Sequence, residues 1–253
     1  MQSAPSVIVQ GMNMSRGQPL AGRHPLQAVS KGERIVIVGT GESGAVACEY
    51  FRYDTPHEVV AFSADAHLIT SDTYYDVPVV PLGELAKLYP PEEYRTFVAV
   101  SMVRLNRVRR RLYDTVKAAG YNCVSYVSSH AFIMPSVEVG ENTFVQENVA
   151  LQPRVHIGDN VFLGSGTCIG HSGTVEDDCF TGPHVTVCGF TRIGRSSFLG
   201  AGSCIADELT VGEDNVISAG AVILKSTKPR QVYIGNPARP VGRDSFETAG
   251  VNV

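Results

Sequence analysis

The sequence predicts an α/β half followed by a parallel β-helix, and two local patterns carry that prediction. A Gly-x-Gly-x-x-Gly run, Gly39 to Gly44, stands between a strand pattern and a helix pattern. From Ile133 to Ile223, every sixth residue is aliphatic with one exception. Composition sets the frame. A chain of 253 residues fits one or two domains, and 43% hydrophobic against 18% charged residues describes a packed core rather than a disordered chain. A net charge of -4 lacks the basic field of a nucleic-acid binder. No apolar run approaches the ~20 residues of a membrane span.

Residues 1–32 contain no acid and three basic residues, Arg16, Arg23 and Lys31. With no continuous apolar stretch, they are not expected to be a secretory signal. They read as a leader that is poorly ordered or packs as an arm on a neighbouring subunit. In residues 33–129 a buried strand is expected from Arg34 to Gly39, with a helix continuing from Ala45 to Arg52. Further strands follow at His57–Phe62, Thr96–Ser101 and Asn122–Val127, and a second helix at about Arg104–Ala119. Strands alternating with helices imply a parallel sheet with crossover helices. The glycines then permit a tight turn and close backbone approach, and the helix N-terminus favours a diphosphate. A nicotinamide dinucleotide would want an acid at the end of the second strand. Ser63 stands there, with Asp65 two residues on, so the loop suits the diphosphate of another nucleotide-linked ligand better. Arg104, Arg107, Arg109, Arg110 and Arg111 crowd the second helix. They read first as a solvated face, with a phosphate contact near the helix start as the alternative.

Residues 130–242 are organised by the number six, and 243–253 form a tail. Of sixteen positions spaced by six from Ile133, fifteen are aliphatic and the exception is Thr181. Gly follows at 140, 158, 164, 170, 182, 194, 200 and 212, and small or β-branched residues dominate two positions before the aliphatic one. A period of six fits neither a helix nor an ordinary strand. It fits a β-helix of short strands with compact corners.

These hexads resemble the hexapeptide-repeat transferases. With the Gly39–Gly44 domain placed ahead of them, the chain from about Arg34 to Val241 is similar to the bacterial sugar acetyltransferases of the PglD/NeuD type. The resemblance implies a left-handed parallel β-helix, three hexads per coil, after a Rossmann-like nucleotide-sugar domain. It also implies a homotrimer with acetyl-CoA as co-substrate between adjacent β-helices, and a nucleotide-linked amino sugar as the acceptor of the acetyl group; the composition suits a cytoplasmic protein. Sixteen hexads make five coils and a fraction, a prism roughly 25 Å long. No metal, nucleic acid or membrane enters this reading.

Acetyl transfer needs a base for the attacking nitrogen or oxygen, a donor for the tetrahedral oxyanion, and alignment of the two substrates. Histidine is the natural base near neutral pH. Seven are present, at 24, 57, 67, 130, 156, 171 and 184. The resemblance assigns the role to His171 in Ile169-Gly170-His171, the N–H toward the thioester carbonyl to Gly189, and pantetheine contacts to Ala201 and Ala219. It places the acceptor at Gly41, Glu42, Ser43, Asp65 and Ser101, and the CoA nucleotide end near Tyr233–Arg239, where Arg239 could pair with a phosphate. The chain departs from the family pattern in four places. Ser172 replaces the acid after the histidine, Phe180 a second histidine, Glu42-Ser43 a Gly-His pair, and Ala64 one of two acids. Glu176, Asp177 and Asp178 are the nearest acids that might serve the His171 ring instead. The six cysteines, at 48, 123, 168, 179, 188 and 204, form no Cys-x-x-Cys pair and read as small core residues of a reducing compartment. Histidine spacings of 15 and 13 across 156, 171 and 184 do not suggest a shared metal site. O-acetylation of a sugar such as a sialic acid, and a catalytically silent binding module, are the competing readings.

Overall fold

The structure is a computed structural model that describes residues 25–27 and 31–251. The leader therefore lies outside the described residues, apart from 25–27, 31 and 32. Within it, Gln27 donates from Nε2 to the carbonyls of Ser128 and Ala131, and Leu26 packs on the coil core.

The first half is a five-stranded sheet. Strands β1 (Arg34–Val38), β2 (Glu58–Ala64), β3 (Thr73–Tyr74), β4 (Val77–Pro81) and β5 (Arg95–Val98) stand in the order β3-β4-β2-β1-β5. All neighbours pair in parallel except β3 with β4. Helices α1 (Glu42–Asp54), α2 (Leu85–Leu88) and α3 (Arg107–Ala118) complete it. Ile35, Val36, Ile37 and Val38 are all fully buried, as a parallel strand covered on both faces requires.

Two expectations are corrected here. The strand foreseen at Asn122–Val127 does not join this sheet. Cys123 makes a single bridge to Thr96, and Tyr126–Val127 instead pairs with Phe144–Val145 as the first rung of the coil. The β3–β4 hairpin was not foreseen, because Pro78 and Pro81 break the signal of β4, which they allow near the sheet edge.

The second half is a parallel β-helix of three sheets, with two-residue strands at every sixth position and pairing partners 18 residues apart. The aliphatic residue of each hexad points inward to form one core. Thr181 belongs to that core at 1% exposure, and its hydroxyl is satisfied: Oγ1 accepts the Gly164 N–H at 3.1 Å and lies 3.1 Å from Thr167 Oγ1. A buried hydroxyl with partners costs little, whereas an unpaired one would cost about 1–3 kcal/mol.

The residue before the aliphatic one points outward, and it gives each sheet its character. One face carries Glu138, His156, Thr174, Arg192 and Thr210 and is polar. A second carries Ala150, Cys168, Thr186 and Cys204. The third carries Tyr126, Phe144, Phe162, Phe180 and Phe198, with Phe162 and Phe180 stacked at 4.3 Å. The α/β half closes over this aromatic face. Phe144 and Tyr126 share a core with Ile37, Phe51 and Phe97. Phe at 144, 162, 180 and 198 recurs at the length of one coil, a signal that marks the docking face in the sequence.

Beside the aromatic face runs a buried polar ladder. Asn142 accepts the Val98 N–H at 2.7 Å and donates to Asn160 at 2.8 Å, and Asn160 donates to Asp178 at 2.8 Å. Helix α3 closes the ladder. Arg109 is 3% exposed and donates from Nη2 to the carbonyls of Asp178 and Cys179. Arg110 faces Asp178 at 3.6 Å, and Arg107 pairs with Asp214. The expectation of a solvated arginine face is thereby corrected: three arginines bind the helix to the coil. Burial pulls the Arg109 pKa down to about 10 against the opposing charge of Asp178, so the side chain stays a cation.

Candidate active site

The five residues assigned to the acceptor line one cleft. Gly41, Glu42, Ser43, Asp65 and Ser101 surround a space of about 280 Å³ at the carboxyl ends of β1, β2 and β5. The crevice beyond the strand ends is where open α/β sheets bind ligands. The three glycines of the run serve different ends. A Cβ on Gly44 would lie 2.1 Å from the Gly39 carbonyl, and one on Gly39 would lie 2.5 Å from the Ala99 carbonyl. Both are demanded by the packing of the turn. A Cβ on Gly41 would meet nothing within 4 Å, so the fold does not require that glycine and only something entering the cleft would. Ser63 is fully buried and cannot reach the cleft. Asp65 can, and it accepts a 2.6 Å hydrogen bond from Arg111, which lines the same cleft. Arg111 is thus a cation in the cleft assigned to the acceptor, and it is the member of the arginine cluster that lines it.

His171 lies on a corner of the coil, between Cys168–Ile169 and Thr174–Val175, with its side chain exposed. Its ring rests over Gly189 of the next coil: a Cβ there would stand 2.9 to 3.3 Å from three ring atoms. A side chain at 189 would push the ring from this position. Phe190 meets the ring edge to face at 4.9 Å between centroids, and the His171 backbone N–H donates to Gln152 Oε1 at 3.0 Å. The acids that follow His171 in the sequence are engaged elsewhere. Glu176 pairs with Arg192, Asp177 with Arg195 at 2.7 Å, and Asp178 sits in the polar ladder. Ser172 turns to Arg154, whose Nε donates to its hydroxyl at 3.2 Å.

One expectation at this corner does not hold in the structure as it stands. The Gly189 N–H does not face open space but donates to Asp207 Oδ1 at 2.9 Å. Asp177 accepts the Asp159 N–H in the same way at 3.0 Å, so a coil aspartate bonded to the backbone one coil away is a structural device of this chain. A thioester carbonyl could take that donor only by displacing Asp207.

Ala201 and Ala219 are exposed and stacked one coil apart on a different corner, across the face that bears Cys168 and Cys204. A single chain does not bring them together with His171. At the end of the coil a further cleft, about 450 Å³, is lined by Arg239, Tyr233 and Lys225. Lys225 went unnoticed in the sequence, although it continues the 18-residue column of His171, Gly189 and Asp207. Burial raises the pKa of Cys168 and Cys188, and that of Cys179 to about 12. Among the described residues, no group of three or more His, Cys, Asp or Glu side chains is placed to hold a metal ion, and no helix is long and apolar enough to cross a membrane.

Comparison with known proteins bears on the fold that carries these residues. Residues 126–171 match the family described as bacterial transferase hexapeptide (six repeats), and residues 190–225 match the hexapeptide repeat of succinyl-transferase. Among solved structures, the chain is similar to a variant of perosamine N-acetyltransferase from Caulobacter crescentus in complex with CoA and GDP-perosamine. The identity is 27%, the TM-score 0.73, and the match covers 85% of this chain and 99% of that one. It is also similar to the acetyltransferase domain of PglB from Neisseria gonorrhoeae, at 26% identity and TM-score 0.73, over 83% of this chain and 100% of that one. WeeI from Acinetobacter baumannii, 18% identical over 83% of this chain and 100% of that one with a TM-score of 0.61, shares the fold. The chain is a hexapeptide-repeat protein built, across both of its halves, like the bacterial sugar N-acetyltransferases.

Proposed function

We propose that this protein is an acetyl-CoA-dependent N-acetyltransferase acting on a nucleotide-linked amino sugar. The observation that carries the proposal is the convergence of Gly41, Glu42, Ser43, Asp65 and Ser101 on one cleft, in a chain built like enzymes described with CoA and GDP-perosamine. Residues 33–129 would form a Rossmann-like acceptor domain and residues 130–242 a left-handed β-helix for acetyl-CoA. Gly41 admits the acceptor backbone-close, and Arg111 offers a cation to its diphosphate.

In the transfer step the acceptor amine attacks the thioester carbonyl carbon, and a ring nitrogen of His171 takes the proton that the nitrogen gives up. Collapse of the tetrahedral intermediate breaks the C–S bond. The thiolate of CoA leaves and is protonated, and the amide remains. Because His171 and the Ala201–Ala219 corner stand apart on one chain, we place acetyl-CoA between the β-helices of two subunits of a cytoplasmic homotrimer. There the corner of one subunit would complete the site of the next.

The test is CoA release, followed with a thiol reagent, over nucleotide-linked amino sugars and their hydroxyl counterparts. Turnover on an amino sugar, giving a product stable to alkaline hydroxylamine, is the expected result. A product cleaved by hydroxylamine would mark an ester and favour O-acetylation. No turnover on any acceptor would favour a binding module. Sedimentation giving a 27.2 kDa monomer would remove the shared site.

A further inference from the structure

We infer that Phe190 is the positioning residue for His171, taking the part that a neighbouring carboxylate would otherwise play; the inference rests on His171 being the base. Three observations single Phe190 out. Its backbone is left-handed, with φ at 53°. The same turn position in other coils is held, also at positive φ, by short residues such as Asn142, Asn160 and Ser172 and by the longer Arg154, His184 and Glu208. All of these are polar, so Phe190 is the one apolar side chain that the described corners hold in this conformation, which Asn and Asp adopt most readily. Second, the residue is 57% exposed, so burial in the core does not explain an apolar ring there. Third, its ring stands against the His171 imidazole at 4.9 Å with an interplanar angle of 86°.

An exposed apolar ring at a corner held elsewhere by polar residues or glycine calls for a reason, and the contact supplies one. Gly189 lies beneath the imidazole and Phe190 borders it edge to face. Ser172 is turned toward Arg154, and Glu176, Asp177 and Asp178 are bound elsewhere. The ring is therefore held by packing rather than by an ion pair. An imidazole fixed this way meets the acceptor in one orientation, and the aromatic wall keeps water from its side.

The test compares Phe190→Asn and Phe190→Tyr with the parent enzyme and with His171→Ala. Phe190→Asn relieves the turn and removes the ring, so the melting temperature should rise, by about 2–4 °C if roughly 1 kcal/mol is recovered. Its kcat should fall about tenfold or more while KM for acetyl-CoA and the sedimented mass stay at parent values. Phe190→Tyr keeps the ring and should keep the rate. In NMR spectra the His171 ring protons should lose their ring-current shift in Phe190→Asn and retain it in Phe190→Tyr. An unchanged kcat in Phe190→Asn, beside an inactive His171→Ala, would overturn this inference alone. A smaller sedimented mass would overturn it in favour of an interface role. A fully active His171→Ala would instead remove the premise on which it rests.

Discussion

The cleft under the glycine loop and the corner that bears His171 are both built from residues that the sequence marks out, yet they differ in completeness. In the cleft, five residues from three loops converge within one chain, and the strand ends that carry them are locked by the sheet. On the coil, His171 and Gly189 touch, while Ala201 and Ala219 stand on another edge of the prism. The difference follows from the two architectures. An open α/β sheet gathers its loops at one end, whereas a β-helix distributes its corners along three parallel edges that never converge. Under the proposed function, a second subunit would complete the site on the coil.

The largest expected effect tests the corner. Replacing His171 by Ala should lower turnover by roughly 10²–10⁴, the usual worth of a positioned base, with acetyl-CoA binding measured by calorimetry nearly unchanged. Turnover at the parent level would end the assignment.

The next effect tests the seam between the two regions. Arg109→Ala removes the cation that faces buried Asp178 and two coil carbonyls, and should cost about 3–5 kcal/mol in denaturant unfolding. Arg109→Met, which fills the space, should cost much less. Equal losses would show that charge is not the issue.

A smaller effect separates the glycines of the cleft. Gly44→Ala forces a Cβ against the Gly39 carbonyl and should destabilise by about 1–3 kcal/mol. Gly41→Ala has open space and an ordinary backbone, so the fold should tolerate it while KM for the acceptor rises. An acceptor KM unmoved by Gly41→Ala would detach the cleft from the substrate.

The smallest effect is a pH dependence of stability far from either site. Burial lowers the pKa of His57, with the charge of Glu33 opposing, and its Nδ1 accepts the Glu33 N–H at 3.1 Å. The unfolded chain then binds the proton more readily than the folded one. The contribution is present above about pH 6.5 and is lost as pH falls toward the lower folded value. His57→Gln should flatten that slope in thermal melts taken from about pH 7 to 5. A slope that persists unchanged would assign the effect to another group.

Much of this was legible in the sequence because the repeat is local. Each hexad places its aliphatic residue inward by its own short strand and corner, so a period of six is enough to establish the coil from Ile133 to Ile223 and to put His171 on a corner. The glycine run and its strand–helix context likewise foretell the cleft. The ends of elements were less legible. Asn122–Val127 reads as a strand of the α/β sheet, but its pairing partner was chosen by the coil.

By itself, then, the sequence determined the repeat and the glycine turn, since each depends on neighbours within a few positions, while the residues assigned to acetyl transfer came from the family resemblance. Only the tertiary structure decided how those residues are used. It turned the arginine run of α3 from a surface into a seam, because the acids and carbonyls that receive Arg107, Arg109 and Arg110 lie more than 60 residues away. It committed the Gly189 N–H to Asp207 and gave His171 an aromatic neighbour in place of an acid. Such choices rest on contacts between adjacent coils and between halves of the chain. Their geometry exists only once the coil has wound and the aromatic face has been covered.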